Sequence, residues 1–450
     1  MKRKYIVCIA LTFIVMLLCT ACGSASSKTG KNNGDEKITL TITLNSSEMG
    51  DTRIYEKYME EHPNIIIEEV PTSNTDTKLL SMIASGNPPD LIRFAGYDEL
   101  PVFVQRGLLM PLDDMIAESG NINLDEMHSV VDICRYDGET RGKGSLYGLP
   151  KDWSPTGIWI NKDVFADAGV PLPSDTKPMT WDEFAEIAQK LVKKDGESIE
   201  RHGCITSLTM PTLLEMYMNS YESSMWKDEF ASTTLESKEG KDALAYFEAL
   251  HKTGALASNL YPTADTIGVS AILEDKVGMV LQGYWFHGVY TSGGRLDAAS
   301  DKLMFIPAPV GTKKASYILD MTCLGVFSET EHPKEAYELF EYLMNAEYAV
   351  NARAEIGMGL PINKSYMEKL PYKTEFDKQT LDVVLDYQID TLDLSPGICP
   401  YISYTSLNTL FDKYYLPVLY EKSTLDEAVK NVNKETVILV EEGKELVGID

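Results

Sequence analysis

The chain has 450 residues and a formal net charge of -27. That length supports two ordinary domains, each with its own core. The acidic balance has no Lys/Arg stripe or cluster to interrupt it, which excludes nucleic acid and other anionic polymers as ligands and leaves a neutral ligand compatible.

The first element is a leader. Lys2, Arg3 and Lys4 precede an apolar run over residues 5–18, and small residues lead to Cys22. Basic flank, short apolar segment and small-residue cleavage site are the order of an export signal. A permanent span needs roughly 20 apolar residues, and this run is shorter. Thr20, Ala21 and Cys22 resemble the bacterial lipobox, in which the cysteine is diacylated and becomes the N-terminus. Cys19 departs from the usual leucine, and Leu18 sits one place too early. Cys19 and Cys22 also read as a CxxC pair, but inside a leader a redox or metal role is the poorer reading. Residues 1–21 are therefore expected to be a signal peptide and Cys22 the lipidated residue. Residues 22–37 are rich in Gly, Ser, Lys and Asn, too polar to repay their ordering entropy, and read as a flexible tether.

The folded body begins with Ile38, Leu40, Ile42 and Leu44 alternating with threonines, a period-two strand. A helix is expected over residues 51–62, stopped by Pro63, then a strand over 65–70. A second helix over 78–85 is broken by Gly86-Asn87-Pro88-Pro89, and a strand follows at 90–94. This alternation predicts α/β layers around a largely parallel sheet. Thr180-Trp181-Asp182-Glu183 and Thr424-Leu425-Asp426-Glu427 fit capping boxes, and Pro333 suits a first helical position. Asp382, Asp386, Asp390 and Asp393 form an acidic stripe at helical spacing, read as a solvated face. Asn121, Asn123 and Asp125 open like a calcium loop, but Glu126 stands where its glycine is required. Cys134, Cys204, Cys323 and Cys399 show no metal-ligand spacing; two disulfides among them are arithmetically possible, but a chain this long does not need them, and free or buried thiols are expected. The six histidines are scattered. No metal or cofactor is expected.

Several segments, in order over nearly all of the chain beyond the leader, resemble one family. They are Ser85-Gly86 with Pro89-Asp90, Gly107-Leu108-Leu109 with Pro111-Leu112-Asp113, and Tyr147-Gly148-Leu149-Pro150 followed by Asn161-Lys162-Asp163-Val164-Phe165. Ala168-Gly169-Val170, Thr180 to Phe184, Lys276 and Met279 with Gly283 and Trp285, and Gly359-Leu360-Pro361 complete the set. Together they are similar to family 1 of the extracellular solute-binding proteins, the maltose-binding-like receptors of ABC importers. Trp159 stands for the family's usual tyrosine and Gly278 for its alanine.

The resemblance implies an α/β, two-lobed fold of the periplasmic-binding-protein type (type II-like), with a ligand cleft between lobes joined by crossing strands. Crossings are expected near residues 150–158, 317–324 and 358–362. Lobe 1 would comprise residues 38–151, lobe 2 residues 152–318, and residues 319–362 a return to lobe 1. Residues 363–450 would form a C-terminal helical region packed mainly on lobe 2. It further implies a monomeric, lipid-anchored receptor on the outer side of the cell membrane that binds a carbohydrate and passes it to permease subunits.

Sugar recognition needs aromatic rings for the apolar pyranose face and carboxylates, amides or Arg for the hydroxyls. Trp285, after Gly283 at the end of an apolar strand, is the leading candidate. Asp152 and Trp153 follow the YGLP segment, where a charge beside a Trp makes a poor core pair. Phe94, Tyr97 and Asp98 follow the strand after Pro89. Tyr401 and Tyr404 lie in an aromatic segment after Pro400. Tyr217, Asn219, Glu48 and Asp320 complete the candidates, while Trp181 and Trp226 are read as structural. Two other classes share some of these features. A sensor feeding a membrane signalling protein would have the same fold. A secreted glycoside hydrolase would need two flanking carboxylates, and with 68 acidic residues such pairs can always be nominated. No Gly-x-Ser-x-Gly elbow, His-Glu-x-x-His helix or phosphate-cradling loop supports an enzyme.

Overall fold

The computed structural model describes residues 37–44, 52–72, 75–95, 99–206, 208–258, 268–292, 294–312, 319–356, 359–367, 369–370, 374–386 and 399–446. The strands of the first lobe are β1 (Ile38–Leu44), β2 (Ile65–Pro71), β3 (Leu91–Ala95), β4 (Arg135–Tyr136) and β5 (Ser145–Leu146). The long strand β6 (Leu149–Asn161) leads into β7 (Lys193–Asp195), β8 (Ser198–Thr206), β9 (Trp226–Lys227), β10 (Ser232–Thr233), β11 (Leu256–Ser258), β12 (Val277–Gly283) and β13 (Leu303–Pro307). Strand β14 (Leu319–Val326) returns to the first lobe.

The expected strands and helices of the first hundred residues form with small shifts at their ends: the helices run Arg53–Glu61 and Thr75–Ala84. The sheet is mixed rather than largely parallel. Strands β1 and β3 are parallel, as are β8, β11 and β12, but β6, β13 and β14 all pair antiparallel. The reason lies in the crossings, because a strand that carries the chain from one lobe to the other meets its neighbours head to tail.

Strand β6 makes the first crossing. Its residues 149–155 pair with β14, and from Thr156 onward it pairs with β12 and β13. Gly157 is required at the switch, since a Cβ there would lie 2.3 Å from the Phe305 ring and 2.8 Å from the Ile306 carbonyl oxygen. The second crossing falls between Gly311, packed on Ser220 of the second lobe, and Leu319, paired with Pro155. The third lies beyond the expected 358–362. Leu360 exchanges backbone hydrogen bonds with Trp153, and Ile362 accepts one from His128, so this stretch stays on the first lobe. The chain reaches the second lobe only at the helix Glu375–Leu385, which packs on β13.

Each lobe has its own core. Leu40, Ile42, Leu91, Phe94, Phe103, Leu149, Leu339 and Phe340 are fully buried in the first. In the second, Trp181, Phe184, Leu213, Met279 and Phe247 join with Leu407, Phe411, Tyr415 and Val432 from the last helices. The helix Tyr404–Tyr414 packs on Met210–Ser220, and Leu425–Leu446 packs on Lys238–Thr253. Burying a side chain of Leu or Phe size contributes about 1.5–3 kcal/mol, so these cores dominate the stability. Both expected capping boxes form. Glu183 N–H donates to Thr180 Oγ1 (3.1 Å) while Thr180 N–H donates to Glu183 Oε2 (2.7 Å). Thr424 and Glu427 repeat the exchange at 3.2 and 3.4 Å. Thr180→Ala is expected to cost about 1 kcal/mol, read as a fall of roughly 2–4 °C in Tm by calorimetry.

His251 is fully buried at the end of the helix Lys238–Thr253. Burial pushes its pKa down to about 4, because the charged ring would lose its hydration. The neutral ring is favoured in the fold, whereas the unfolded chain takes up a proton near the ordinary value of 6.5. Stability from this group is therefore fully present above pH 6.5 and is lost as pH falls toward 4, by a few kcal/mol at most. His251→Gln should flatten that part of the denaturation profile relative to the parent, and an unchanged slope would show that other groups carry it.

Candidate functional site

The parallel strands of the two lobes point their carboxyl ends at one line. Strand β3 ends at Ala95, opposite Thr322, which in turn pairs with Asp152. From the other side β12 ends at Gly283, opposite Thr156. The carboxyl ends of the strands from both lobes thus converge on residues 152–156 of β6. Open α/β sheets bind their ligands outside the carboxyl ends of the strands, at such a junction.

Trp285 is fixed at this junction. Its backbone N–H donates to Ser154 Oγ (2.8 Å), and Tyr284 N–H donates to the Pro155 carbonyl (3.0 Å). The indole is half-buried, edge-on to the fully buried Phe286 with ring centroids 4.7 Å apart. Its footing is rigid. Tyr284 stacks on His287, His287 stacks on Phe376, and His287 Nε2 lies 2.6 Å from Asp377 Oδ1. Asp377 also closes a third capping box with Thr374, so one carboxylate ties the helix Glu375–Leu385 to the segment carrying Trp285.

Alternation along β6 places Asp152 and Ser154 on one face and Trp153 on the other. Lys151 Nζ bonds Asp152 Oδ2 at 2.6 Å, with only 11 % and 15 % of the two side chains exposed. Burial lowers the pKa of Arg353, and the charge of Asp152 is the largest influence opposing that shift. Gly359 closes over Asp152, since a Cβ at 359 would lie 2.7 Å from the Asp152 Cβ. Arg93, on β3, reaches Thr322 Oγ1 (3.3 Å) on the neighbouring strand. Lys151, Arg93 and Arg353 were not among the sequence candidates. A charged residue inside the apolar run Leu91-Ile92-Arg93-Phe94 is the signal that could have found Arg93.

Phe94, Trp153 and Tyr217 are taken up by packing within the lobes. Phe94 is fully buried in the first lobe, its ring edge-on to Phe103 at 6.3 Å, and takes no part in stacking on a ligand. Trp153 is 1 % exposed, and its Nε1 donates to the Pro361 carbonyl (3.0 Å), so it anchors residues 359–362 to the crossing strand. Tyr217 packs into an aromatic cluster with Trp181, Tyr221 and Tyr246, at centroid distances of 5.4, 4.9 and 4.8 Å. Asn219 lies in the last turn of the helix Met210–Ser220, its carbonyl accepting from the N–H of Glu222. Trp181 is fully buried and Trp226 nearly so. Tyr401 is half-buried against Lys444, whose Nζ lies 5.3 Å from the ring centroid. Burial raises its pKa, and Glu139 of the first lobe and Glu229 of the second both act on it. Glu48, Tyr97, Asp98 and Cys22 lie outside the described residues. Asp320 pairs opposite Ser154 and Tyr404 opens a helix, but the side chains of both lie outside the description. Among the described residues no cluster of His, Cys, Asp or Glu could hold a metal.

A two-lobed α/β body with its candidate residues at the strand junction defines a receptor of the solute-binding class. Residues 48–350 match the model of the bacterial extracellular solute-binding proteins, and the chain belongs to that family. It is 22% identical over 304 residues to the arabinooligosaccharide-binding protein of Halalkalibacterium halodurans, covering 65% of this chain and 63% of that one. An ABC substrate-binding protein from Listeria monocytogenes in complex with cycloalternan superposes with a TM-score of 0.74 at 19% identity, covering 92% of this chain and 100% of that one. The sugar-binding protein MalE from Xanthomonas citri does so at 0.70 and 16%, covering 90% and 98%. No helix among the described residues is long and apolar enough to cross a membrane.

Gly359→Ala offers a direct probe of the Asp152 environment. The added methyl must displace the Asp152 side chain from its place beside Lys151. Ligand affinity should fall about tenfold, with a Tm change of a few degrees at most. Unchanged affinity in calorimetric titration would remove Asp152 from the site.

Proposed function

We propose that this protein is the lipid-anchored, extracellular receptor of an ABC importer, a monomer that captures a carbohydrate and delivers it to the permease. The observation that carries the reading is Trp285, a half-buried aromatic whose backbone N–H donates to Ser154 at the junction of the lobes, Ser154 lying on the same strand as the Asp152 carboxylate. An aromatic plane beside charge-paired hydrogen-bonding groups matches the two chemistries of a pyranose. The arabinooligosaccharide-binding relative and the cycloalternan-bound neighbour support a sugar ligand, oligosaccharide rather than amino acid or peptide. The lipid anchor rests on the leader and Cys22. The role is binding without turnover: closure about the crossings sequesters the ligand, and opening at the permease releases it.

Isothermal titration against a panel of oligosaccharides should give saturable binding to one class. If every sugar fails while amino acids, peptides or polyamines bind, the carbohydrate reading is wrong. Turnover of a bound oligosaccharide would overturn the non-catalytic role. For the anchor, Cys22→Ser should move the protein from the membrane fraction to the medium or abolish leader removal. A variant processed and retained like the parent would reject Cys22.

A further inference from the structure

Two thiols 189 residues apart in sequence meet inside the first lobe. Cys134 ends the 3-10 segment Ser129–Cys134, and its carbonyl accepts from Tyr147 N–H. Cys323 lies on β14, paired with Phe94 on one side and Pro150 on the other. Their Sγ atoms are 3.4 Å apart, and neither side chain is exposed. The other two cysteines among the described residues are placed differently: Cys204 directs its Sγ to the Ile205 carbonyl, and Cys399 is buried in the second lobe. All four are free thiols in this structure.

We propose that Cys134 and Cys323 are an oxidisable pair that closes to a disulfide once the chain has left the cell. The choice of compartment rests on the export reading; the pairing rests on geometry alone. The oxidant is a disulfide, either a small-molecule one or that of an exchange catalyst. One protein thiolate attacks a donor sulfur, breaking the donor S–S bond and releasing one donor thiol. The second protein thiolate then attacks the protein-side sulfur of the mixed disulfide, forming the Cys134–Cys323 bond and releasing the second donor thiol. The two protons lost by the cysteines end on the two donor thiols. Burial holds the Cys323 thiol well above its ordinary pKa, so exchange proceeds before packing is complete or during local opening. Once closed, the same burial shields the bond.

The position gives the bond a consequence. The pairing of β14 with β6 shifts register at Thr322/Cys323, and Asp152 and Arg93 both act on Cys323. A disulfide here would pin the irregular part of the crossing to the Ser129–Cys134 segment. It would brace the first-lobe end of the strands about which the lobes move, directly beneath the candidate site.

The test uses the mature protein in two preparations. In the first, thiol-reduced protein is treated with the azodicarboxamide oxidant diamide, denatured, alkylated and mapped by mass spectrometry without reductant. The expected result is a linked Cys134–Cys323 peptide and two remaining alkylated thiols. Four alkylated thiols, or a link to Cys204 or Cys399, overturns the pairing. The oxidised form should melt about 5 °C above the reduced form, and an unmoved Tm overturns the bracing. In the second, protein purified from an exporting host under non-reducing conditions should already carry the bond. Free thiols at both positions in protein that fractionates outside the cell overturn oxidation on export. Protein found inside the cell instead indicts the export reading. Cys134→Ala and Cys323→Ala should each abolish the linked peptide, and the parent map decides the matter should either variant fold poorly.

Discussion

Trp285→Ala should weaken ligand binding by roughly a hundredfold, about 2–3 kcal/mol, while leaving the melting temperature within about 2 °C of the parent. The two readouts separate because the backbone and the ring of Trp285 do different things. The backbone is held by Ser154 Oγ, and the preceding strand pair Gly283↔Thr156 survives the substitution. Only the half-buried indole is lost, together with its edge-on contact to Phe286. Trp285→Phe keeps an aromatic plane of smaller area and should recover most of the affinity. A Tm loss as large as the affinity loss would place the indole in the core instead, and full affinity in the alanine variant would move the stacking site elsewhere.

Trp159→Ala carries the largest expected cost to stability, about 4 kcal/mol, or on the order of 10 °C in Tm. Trp159 is completely buried, with the rings of Phe305, Phe376 and Tyr290 centred 4.6, 5.9 and 6.0 Å away. These rings come from three separate stretches of the second lobe, so none can collapse far into the space left behind. The indole Nε1 also donates to the Gly283 carbonyl (3.1 Å), which steadies the strand end just before Trp285. Trp159→Phe keeps much of the packing and loses that bond, and should cost about 1–2 kcal/mol. Equal losses in the two variants, measured by denaturant unfolding, would show that the hydrogen bond rather than the packing dominates.

The candidate residues show where sequence reasoning stops. Asp152 and Trp153 invite nomination together, on the ground that a charge beside a Trp makes a poor core pair. On a regular stretch of strand, neighbours such as these two face opposite sides of the sheet. Asp152 turns to the site with Ser154, and Trp153 turns into the first lobe. Phe94 misleads for a different reason. Strand β3 is covered on both faces, with Leu91, Ile92 and Phe94 all fully buried, so its apolar run has no alternation from which a face could be read. Tyr217 reads as a candidate contact, but the rings of Trp181, Tyr246 and Phe247 converge on it from elsewhere in the lobe.

What the sequence by itself determined is local or ordered along the chain. The β1 alternation, the capping boxes at Thr180 and Thr424 and the ordered family segments need only near neighbours to be legible. They were sufficient for fold class and receptor class. What only the tertiary structure decided is which distant residues meet. Sheet pairing and lobe crossing set Trp285 against Ser154, close Gly359 over Asp152, and join His287 to Asp377. They also place Cys134 3.4 Å from Cys323, across 189 residues of sequence. The physical reason is the same in each case: hydrogen bonds and packing act over a few ångströms of space, and chain order records that distance only within one element.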